Sequence, residues 1–453
     1  MKKKIMGLLL CLSVTAVSMA GCKSLLVKKK NIPKSTGKSE VIEEGDELNI
    51  FCNDDEFLSC LKNYYPGYKE IDDTTGKIGN ITVNWTITEG DSDIYQDELD
   101  SALKSQKGAS PEDKIDIFLV NGDYASKYAD SEYAMSLDDI GIKKNSTSGQ
   151  YAYTKEVMTD SEGVQRGVSW QSCPGVILYN RDIAKKVLGS DNPEKVQKAA
   201  GNWDEFIKTA KKMKEKGYKI TPSANDIYNA YTASMSSKWV ENGKIKIDDH
   251  IMKWVSDSKK LVNEGKTGTC SILSDEWKKD FYSGRESFCC FVTPQMINSL
   301  INDSKTENVP PDIRYGIIKG PQSFYMGGNW ICAAQGTDNK DLIRKIMLKI
   351  TCDQDIMTEI AKQENEADNN KYVMEEMSKT QSGSEFMGGQ NPYKVYLEAA
   401  KDIKSDYISP YDYGCRKEFQ KYVINYLEGN ADLDSAIEEF YESVEEMYPE
   451  LTH

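Results

Sequence analysis

Three short β-type runs begin the folded part of this sequence: ELNIFCN (47–53), ITVNWTI (81–87) and KIDIFLV (114–120). The stretches between them have helical spacing, and in the second stretch Tyr95 and Leu99 fall on the face that would lie against a sheet. The runs NIF and DIFLV are apolar enough for parallel strands that helices cover on both sides. This alternation of strands and helices predicts an α/β fold.

The same alternation continues through the rest of the chain. WDEFIKTAKKMKEKGYKI (203–220) has the apolar stripe of a helix, with Asn202 placed as its N-cap and Glu205 placed to bond back to it. RYGII (314–318) and GGNWICAAQ (327–335) have the composition of strands. The part of the chain that is expected to fold has about 400 residues, more than one hydrophobic core usually serves, so two domains are expected.

Polar residues directly follow two of the predicted strands. Asn53 ends the first run, Asp54 and Glu56 follow it, and Asp123 comes after the third. Ligands of open α/β sheets bind beyond the carboxyl ends of the strands, so these four residues are predicted to line a ligand cleft. Asn and Asp also begin helices as N-caps, and that alternative stays open for each position.

The N-terminus has the order of a secretory signal. Three lysines at residues 2–4 precede an uncharged stretch, which ends in the segment Met19-Ala20-Gly21-Cys22. That segment resembles the lipobox of bacterial lipoproteins, in which the cysteine is acylated and becomes the new N-terminus. Residues 1–21 are therefore predicted to be a signal peptide, and 22–45 a flexible, lysine-rich tether that starts at the lipidated Cys22. An uncleaved signal anchor is the alternative, because the uncharged run nearly reaches the about 20 residues of a spanning helix.

The chain beyond the signal is acidic. The sequence has 57 basic and 72 acidic residues, and without the three signal lysines 54 basic residues face 72 acidic ones, a formal charge of −18. This balance disfavours nucleic-acid binding. His250 and His453 are the only histidines, and no GxxxxGK[ST] or GxGxxG motif occurs. Acidic neighbours such as Glu445-Glu446 rarely face one substrate, so they do not indicate a glycosidase. From these observations together we predict no enzymatic activity, no cofactor and no metal site.

Nine cysteines follow Cys22, and they form no CxxC pair and no paired metal spacing. Several of them lie inside apolar runs, so most are predicted to be small buried side chains. A Cys52–Cys60 disulfide bond remains open as an alternative.

Three later segments carry a resemblance to a known family: GVSWQSCPGVILYNRDIAKKVLG (167–189), RYGIIKGP (314–321) and GGNWICAAQGTDNKDLIRKIMLKI (327–350). Together with the order of the other segments, they resemble the extracellular solute-binding proteins of the maltodextrin-binding type, which include the sugar-binding lipoproteins of bacterial ABC importers. The resemblance implies a two-lobed, periplasmic-binding-protein-like α/β fold, with a hinge and an interlobe ligand cleft.

The resemblance also implies where the lobes lie and what they do. Lobe one is expected at 46–172 plus 322–368, and lobe two at 173–321 plus 369–453. A carbohydrate, expected to be an oligosaccharide, would be enclosed between the lobes and delivered to membrane permeases. A receptor of the same fold for a peptide or a polyamine, and a polysaccharide-adhesion lipoprotein that does not transport, are the alternatives.

Sugar recognition needs flat apolar faces and planar polar groups together. Aromatic residues stand beside polar ones at several places, and the further predicted ligand-binding residues are Trp170, Gln171, Asn225, Trp277, Trp330, Gln390 and Asp412. Trp170 precedes the expected crossover to lobe two, and Trp330 follows two glycines that would let the backbone approach a ligand. Packing in a core is the alternative for each tryptophan, and capping or surface placement for each polar residue.

The lipobox resemblance leads to a test by Cys22→Ser. Without the thiol that is acylated, the protein should leave the membrane fraction or keep its signal peptide, while ligand binding by the folded part is unchanged. Cell fractionation and the mass of the mature N-terminus measure this. Unchanged membrane association with the signal retained would favour a spanning anchor.

Overall fold

The computed structural model describes residues 45–453 except 91, 284, 307–313 and 384. The predicted signal peptide, the lipidation site at Cys22 and all but the last residue of the predicted tether lie outside the described residues.

The chain forms alternating strands and helices, as the sequence predicts. The strands are β1 (Glu47–Cys52), β2 (Tyr68–Asp72), β3 (Thr75–Ile78), β4 (Ile81–Ile87), β5 (Ile117–Asn121), β6 (Gly167–Val168), β7 (Val176–Asn180), β8 (Val240–Glu241), β9 (Lys244–Ile245), β10 (Cys289–Val292), β11 (Tyr315–Ile318) and β12 (Asn329–Ala333). The helices are α1 (Glu56–Tyr64), α2 (Ser92–Ser105), α3 (Ala125–Ala129), α4 (Ala152–Val157), α5 (Arg181–Leu188), α6 (Pro193–Ala200), α7 (Trp203–Glu215), α8 (Tyr228–Thr232), α9 (Asp249–Asn263), α10 (Asp275–Lys278), α11 (Pro294–Thr306), α12 (Lys340–Cys352), α13 (Gln354–Glu364), α14 (Lys371–Thr380), α15 (Pro392–Lys401), α16 (Asp412–Glu428) and α17 (Leu433–Met447).

The first lobe is built on a seven-stranded sheet of order β2-β3-β4-β1-β5-β12-β6. Strand β1 runs parallel to β4 and β5, and β12 is antiparallel to both of its neighbours. Alternate residues of β5 enter different cores: Ile117 and Leu119 face one helical layer, whereas Phe118 and Val120 face the layer that contains Tyr95 of α2. The prediction of a sheet covered on both sides is confirmed, because this alternation buries both faces.

The second lobe is built on a three-stranded antiparallel sheet of order β10-β7-β11. Its two faces also enter separate cores, with Ile177 and Tyr179 of β7 on one side and Val176 and Leu178 on the other. Asn202 caps α7 as predicted, since its side chain accepts a 2.9 Å hydrogen bond from the backbone N–H of Glu205. The Glu205 side chain does not bond back to Asn202 as expected, because its carboxylate pairs with Lys208.

Three segments cross between the two lobes. Residues 169–175 leave β6 for β7, residues 319–328 return from β11 to β12, and residues 365–370 lead from α13 to α14. Isolated backbone bridges tie them side by side, one between Gln171 and Asp368 and another between Pro174 and Tyr325. The crossing segments therefore lie next to each other. The predicted lobe boundaries at 172, 321 and 368 stay a prediction.

The nine cysteines of the described residues are free thiols, and seven of them are buried. Cys52 and Cys60 do not form the disulfide bond that the sequence left open. In the described part of the chain, no helix has the length and apolar character needed to cross a membrane.

Candidate functional site in the interlobe cleft

A cavity of about 560 Å³ lies between the two lobes. Its walls include Gly122, Asp123 and Ser126 after β5, Gln322 and Tyr325 from a crossing segment, Tyr228, Asn229 and Trp239 around α8, the loop 404–408, and Asp412 and Arg416 of α16. The volume is in the range of sites that enclose small molecules.

The first-lobe wall is set by a close approach of backbones. The N–H of Gly122 donates a 2.8 Å hydrogen bond to the carbonyl of Gly328, and a Cβ on Gly122 would lie 2.6 Å from the carbonyl oxygen of Gly327. Only glycine fits this position. Gly327 and Gly328 themselves have φ values of 68° and 89°, so the chain turns into β12 directly beneath the cavity.

An ion pair crosses the cavity between the lobes. Arg416 Nη1 lies 3.0 Å from Asp123 Oδ1. Burial disfavours the charged guanidinium, but the charge and hydrogen bond of Asp123 together with the nearby Tyr228 and Tyr325 outweigh burial and raise the pKa of Arg416. Asp412, one helical turn before Arg416, is half-buried in the cavity wall, and burial raises the pKa of its carboxyl to about 6. Both predicted carboxylates, Asp123 and Asp412, therefore meet in this cavity beside a cation.

Further contacts join the first turns of α16 to the first lobe. Tyr413 donates its hydroxyl hydrogen bond to Asp93 over 2.9 Å, and Lys417 forms an ion pair with the same carboxylate. The hydroxyl of Ser126 donates to the backbone carbonyl of Ser409 over 2.8 Å. These polar contacts hold the lobes together along one side of the cavity.

The aromatic walls of the cavity come mainly from tyrosines. Tyr325 stacks on Tyr153 with ring centroids 5.7 Å apart, and Tyr228 stands edge-on to Trp254 at 4.9 Å. These neighbours hold the rings in place.

A second polar group lies at the same edge of the first-lobe sheet, on its hinge side. Gln171 Nε2 donates hydrogen bonds to Glu56 Oε1 over 2.6 Å and to Glu366 Oε1 over 3.3 Å. Asn329 Nδ2 donates to Glu56 Oε2 over 2.8 Å, and its N–H donates to Gln171 Oε1 over 3.0 Å. Asp54 accepts from the Glu56 N–H over 3.0 Å. The structure thus joins three of the predicted residues, Asp54, Glu56 and Gln171, in one hydrogen-bonded group.

The strand topology explains why these residues converge. Strands β1, β5 and β6 end at one edge of the sheet, and the antiparallel β12 begins at that edge, where Asn329 is paired with Asn121. Residues that lie far apart in sequence therefore meet beyond the carboxyl ends of the strands, as expected for open α/β sheets.

The predicted tryptophans lie in cores. Trp170 is 2% exposed and stacks on Phe57, with ring centroids 5.6 Å apart. Trp330 is 1% exposed and donates its indole hydrogen bond to the carbonyl of Thr154. Trp277 is fully buried in the second lobe, where its indole donates to Asp226. None of the three tryptophans lines the cavity. Their role as ligand platforms stays a prediction.

The remaining predicted polar residues have local partners. Gln390 pairs with the backbone of Ile317 through both ends of its amide, which completes the edge strand β11. Asn225 lies one turn before α8 and is 3.5 Å from Gln420 Nε2. Asn53 donates to Asp54 over 2.6 Å beside the hinge-side group. Gln390 and Asn225 are outside the cavity walls.

Several cavity residues were missed by the sequence reasoning, above all Arg416, Tyr325 and Asn229. Arg416 follows Asp412 by four residues, a spacing that places both on one face of a helix. That signal was present in the sequence, but nothing in it indicates that this face meets the first lobe. In the part of the chain that the structure describes, no cluster of three or more His, Cys, Asp or Glu residues is arranged to hold a metal ion.

The fold and the cleft define a two-lobed binding protein that encloses its ligand between α/β domains. The sequence matches the family described as bacterial extracellular solute-binding protein over residues 70–366. The chain belongs to this family, which places it outside the cytoplasm and among binding proteins rather than enzymes.

Solved structures confirm the two-lobed, periplasmic-binding-protein-like fold. A protein described as extracellular solute-binding protein family 1 is 14% identical, with a TM-score of 0.73 over 89% of this chain and 100% of the other. An ABC transporter associated binding protein from B. animalis subsp. lactis Bl-04, in complex with β-1,6-galactobiose, is 17% identical, with a TM-score of 0.65 over 90% and 100%. The galacto-N-biose/lacto-N-biose I-binding protein from Bifidobacterium longum, in complex with lacto-N-biose, is 11% identical, with a TM-score of 0.62 over 88% and 97%. No curated protein matches the sequence.

The burial of Trp170 leads to a stability test. Trp170→Ala should lower the free energy of unfolding by about 3–5 kcal/mol, because a large buried ring that packs on Phe57 is removed. Trp170→Phe keeps an aromatic ring in this place and should cost less. Denaturant unfolding of both variants measures the difference. An alanine variant of normal stability that has lost its ligand affinity would instead place the ring in the binding site.

Proposed function

We propose that this protein captures a carbohydrate between its lobes and delivers it to the membrane permeases of an ABC importer. The observation that carries the proposal is the interlobe cavity, which combines tyrosine rings with the Asp123–Arg416 pair and Asp412. A pyranose presents an apolar C–H face and several hydroxyls, and a closed cleft must satisfy both. The saccharides bound to two of the structural neighbours support this class of cargo.

Each group in the cavity has a role in this proposal. Tyr325 supplies a ring face for the C–H side of the sugar. The carboxylates of Asp123 and Asp412 accept hydrogen bonds from hydroxyls, and Arg416 donates them. Because Asp123 belongs to the first lobe and Arg416 to the second, a sugar that contacts both would stabilise the closed arrangement of the lobes.

The remaining predictions complete the proposal. The protein is held at the outer face of the cell membrane by lipid on Cys22, acts without a cofactor and catalyses no reaction. Its lobes divide at the predicted boundaries, which the separation of the two sheets supports. The alternatives are a receptor for a peptide or polyamine and a lipoprotein that adheres to polysaccharide without transport.

A ligand screen by thermal shift tests the class of cargo. A saccharide that binds the native state alone, at a hundredfold excess over its dissociation constant, should add about 2.7 kcal/mol to the free energy of unfolding and raise the melting temperature. Monosaccharides and oligosaccharides are compared with peptides and polyamines. A shift from peptides with none from any saccharide would overturn the carbohydrate assignment. Binding of long polysaccharide alone would favour adhesion.

Tyr325 provides a matched pair of variants for the stacking role. Tyr325→Ala should weaken binding of the identified saccharide by about 2–4 kcal/mol, because an aromatic contact in the cavity is lost. Tyr325→Phe retains the ring and should bind almost as the parent does. Calorimetric titration measures the affinities, and melting temperatures confirm folding. Equal affinity of a well-folded Tyr325→Ala variant would exclude Tyr325 from the binding site.

A further inference from the structure

The hinge-side edge of the cleft contains four carboxyl groups in close proximity: Asp54, Glu56, Glu366 and Asp368. Glu56 and Glu366 share one donor, Gln171 Nε2, and burial together with the charge of Glu56 raises the pKa of Glu366 well above its usual range. The charge of Asp54 adds to burial in raising the pKa of Glu56. Asp368 is fully buried, and its charge also acts on Glu366. We refer to these residues, with Asn53 and Asn329, as the acidic cluster.

Several oxygens of the acidic cluster have no hydrogen-bond partner in the protein. They are both carboxyl oxygens of Asp368, the amide oxygen of Asn329 and the amide oxygen of Asn53. Asp368 is 0% exposed and Asn329 is 5% exposed. The Asn329 amide lies within the cluster, since its nitrogen donates to Glu56 and also stabilises the ionised form of Asp54. All of these unpartnered atoms are acceptors, so the cluster is short of donors.

Other enclosed carboxylates of this protein have either a cation or several neutral donors beside them; Asp116 accepts from Thr337 and Asn339, and Asp226 accepts from the indole of Trp277. Asp123 is paired with Arg416, and Asp160 accepts from Arg166 over 2.7 Å. Within the ranges that the structure describes, no lysine, arginine or histidine forms an ion pair or a hydrogen bond with any of the four carboxyl groups of the cluster. Burying several carboxyl groups without a cation is costly, which gives a cationic ligand a favourable place to bind.

The cluster adjoins the cavity at the sheet edge. Asn329 is paired with Asn121, and the next two residues, Gly122 and Asp123, form the first-lobe wall. The charge of Asp54 reaches Tyr124 and contributes to raising its pKa. Asn53, Asp54 and Glu56 do not line the cavity itself, but they are half-buried, so this side of the cluster is partly exposed.

The chemistry of these acceptor oxygens favours an ammonium over a metal ion. The carboxylates are not arranged as a metal-binding group in the described part of the chain. An ammonium has three N–H donors, which can be divided among separate carboxylate and amide oxygens.

We propose that a protonated primary amine of the cargo binds at the acidic cluster, which makes the cargo an amino sugar with a free amine. This rests on the proposed function, because the sugar ring is assigned to the neighbouring cavity. A polyamine carries the same ammonium group, and the test separates the two sources.

Calorimetric titration of matched saccharides tests the proposal. The probes are trios of the gluco and galacto series, as monosaccharides and β-1,4-linked disaccharides, that carry an amine, an N-acetyl group or a hydroxyl at carbon 2. In at least one trio the amine should bind about 10- to 100-fold more tightly than both neutral members, as expected for hydrogen bonds between charged groups. Raised salt should reduce this preference.

Two variants with the same change of charge locate the effect. Glu56→Gln removes a carboxylate of the cluster and should abolish most of the preference for the amine. Asp55→Asn changes the adjacent, exposed residue and should leave the preference intact. Retained affinity for neutral saccharides shows that a variant is folded.

The outcomes separate this inference from the proposed function. Neutral saccharides that bind as tightly as the amines would overturn the amine site and leave carbohydrate capture standing. Binding of spermidine that depends on Glu56, with no binding of any saccharide, would support the amine site and overturn carbohydrate capture. If no probe binds the native protein, both proposals fall.

Discussion

The insertion of β12 between β5 and β6 is the constraint on which the rest of the cleft depends. The chain returns from the second lobe through Gly327 and Gly328 and enters the first-lobe sheet at the edge where β5 and β6 end. Because this central strand is buried on both faces, its register is fixed by the side chains that it carries to the two cores. One ladder of hydrogen bonds thus sets the position of the crossing segments, the wall at Gly122 and the place of Asn329.

The same sheet edge uses carboxyl groups in two electrostatic settings. On the cavity side Asp123 faces Arg416 across the lobes, so that the charge is compensated within the protein. On the hinge side Glu56, Glu366 and Asp368 lie together without such a cation among the residues that the structure describes, and burial raises the pKa of each. An uncharged sugar suits the cavity side, where the charges are paired. The acidic cluster on the hinge side has acceptor oxygens without hydrogen-bond donors. A cargo with a neutral ring and one ammonium group would satisfy both.

The contacts between the lobes combine polar groups with apolar clusters that are smaller than the cores within the lobes. Each lobe has large apolar cores on both faces of its sheet. Between the lobes a small buried cluster joins Tyr151 and Tyr153 to Ala400 and Ile403, and Tyr413 of α16 packs edge-on against Tyr124 beside the polar contacts of this helix. Partly exposed ion pairs each contribute at most about 1 kcal/mol, much less than the burial of an apolar core. Ligand contacts across the cavity would add to these interlobe contacts and shift the balance between open and closed arrangements.

The sequence alone determined the α/β class, the cap of α7 at Asn202 and the convergence of polar residues after β1 and β5, because periodicity and capping are local properties. It also indicated Asp123 and Asp412 as polar groups, both of which lie in the cavity. It did not separate core tryptophans from exposed ones, since Trp170 and Trp330 stand beside polar residues in sequence but are buried by helices from elsewhere in the chain. Only the tertiary structure placed Arg416 opposite Asp123 and Glu366 beside Glu56, since these pairs are about 300 residues apart and meet only when the lobes and crossing segments pack together.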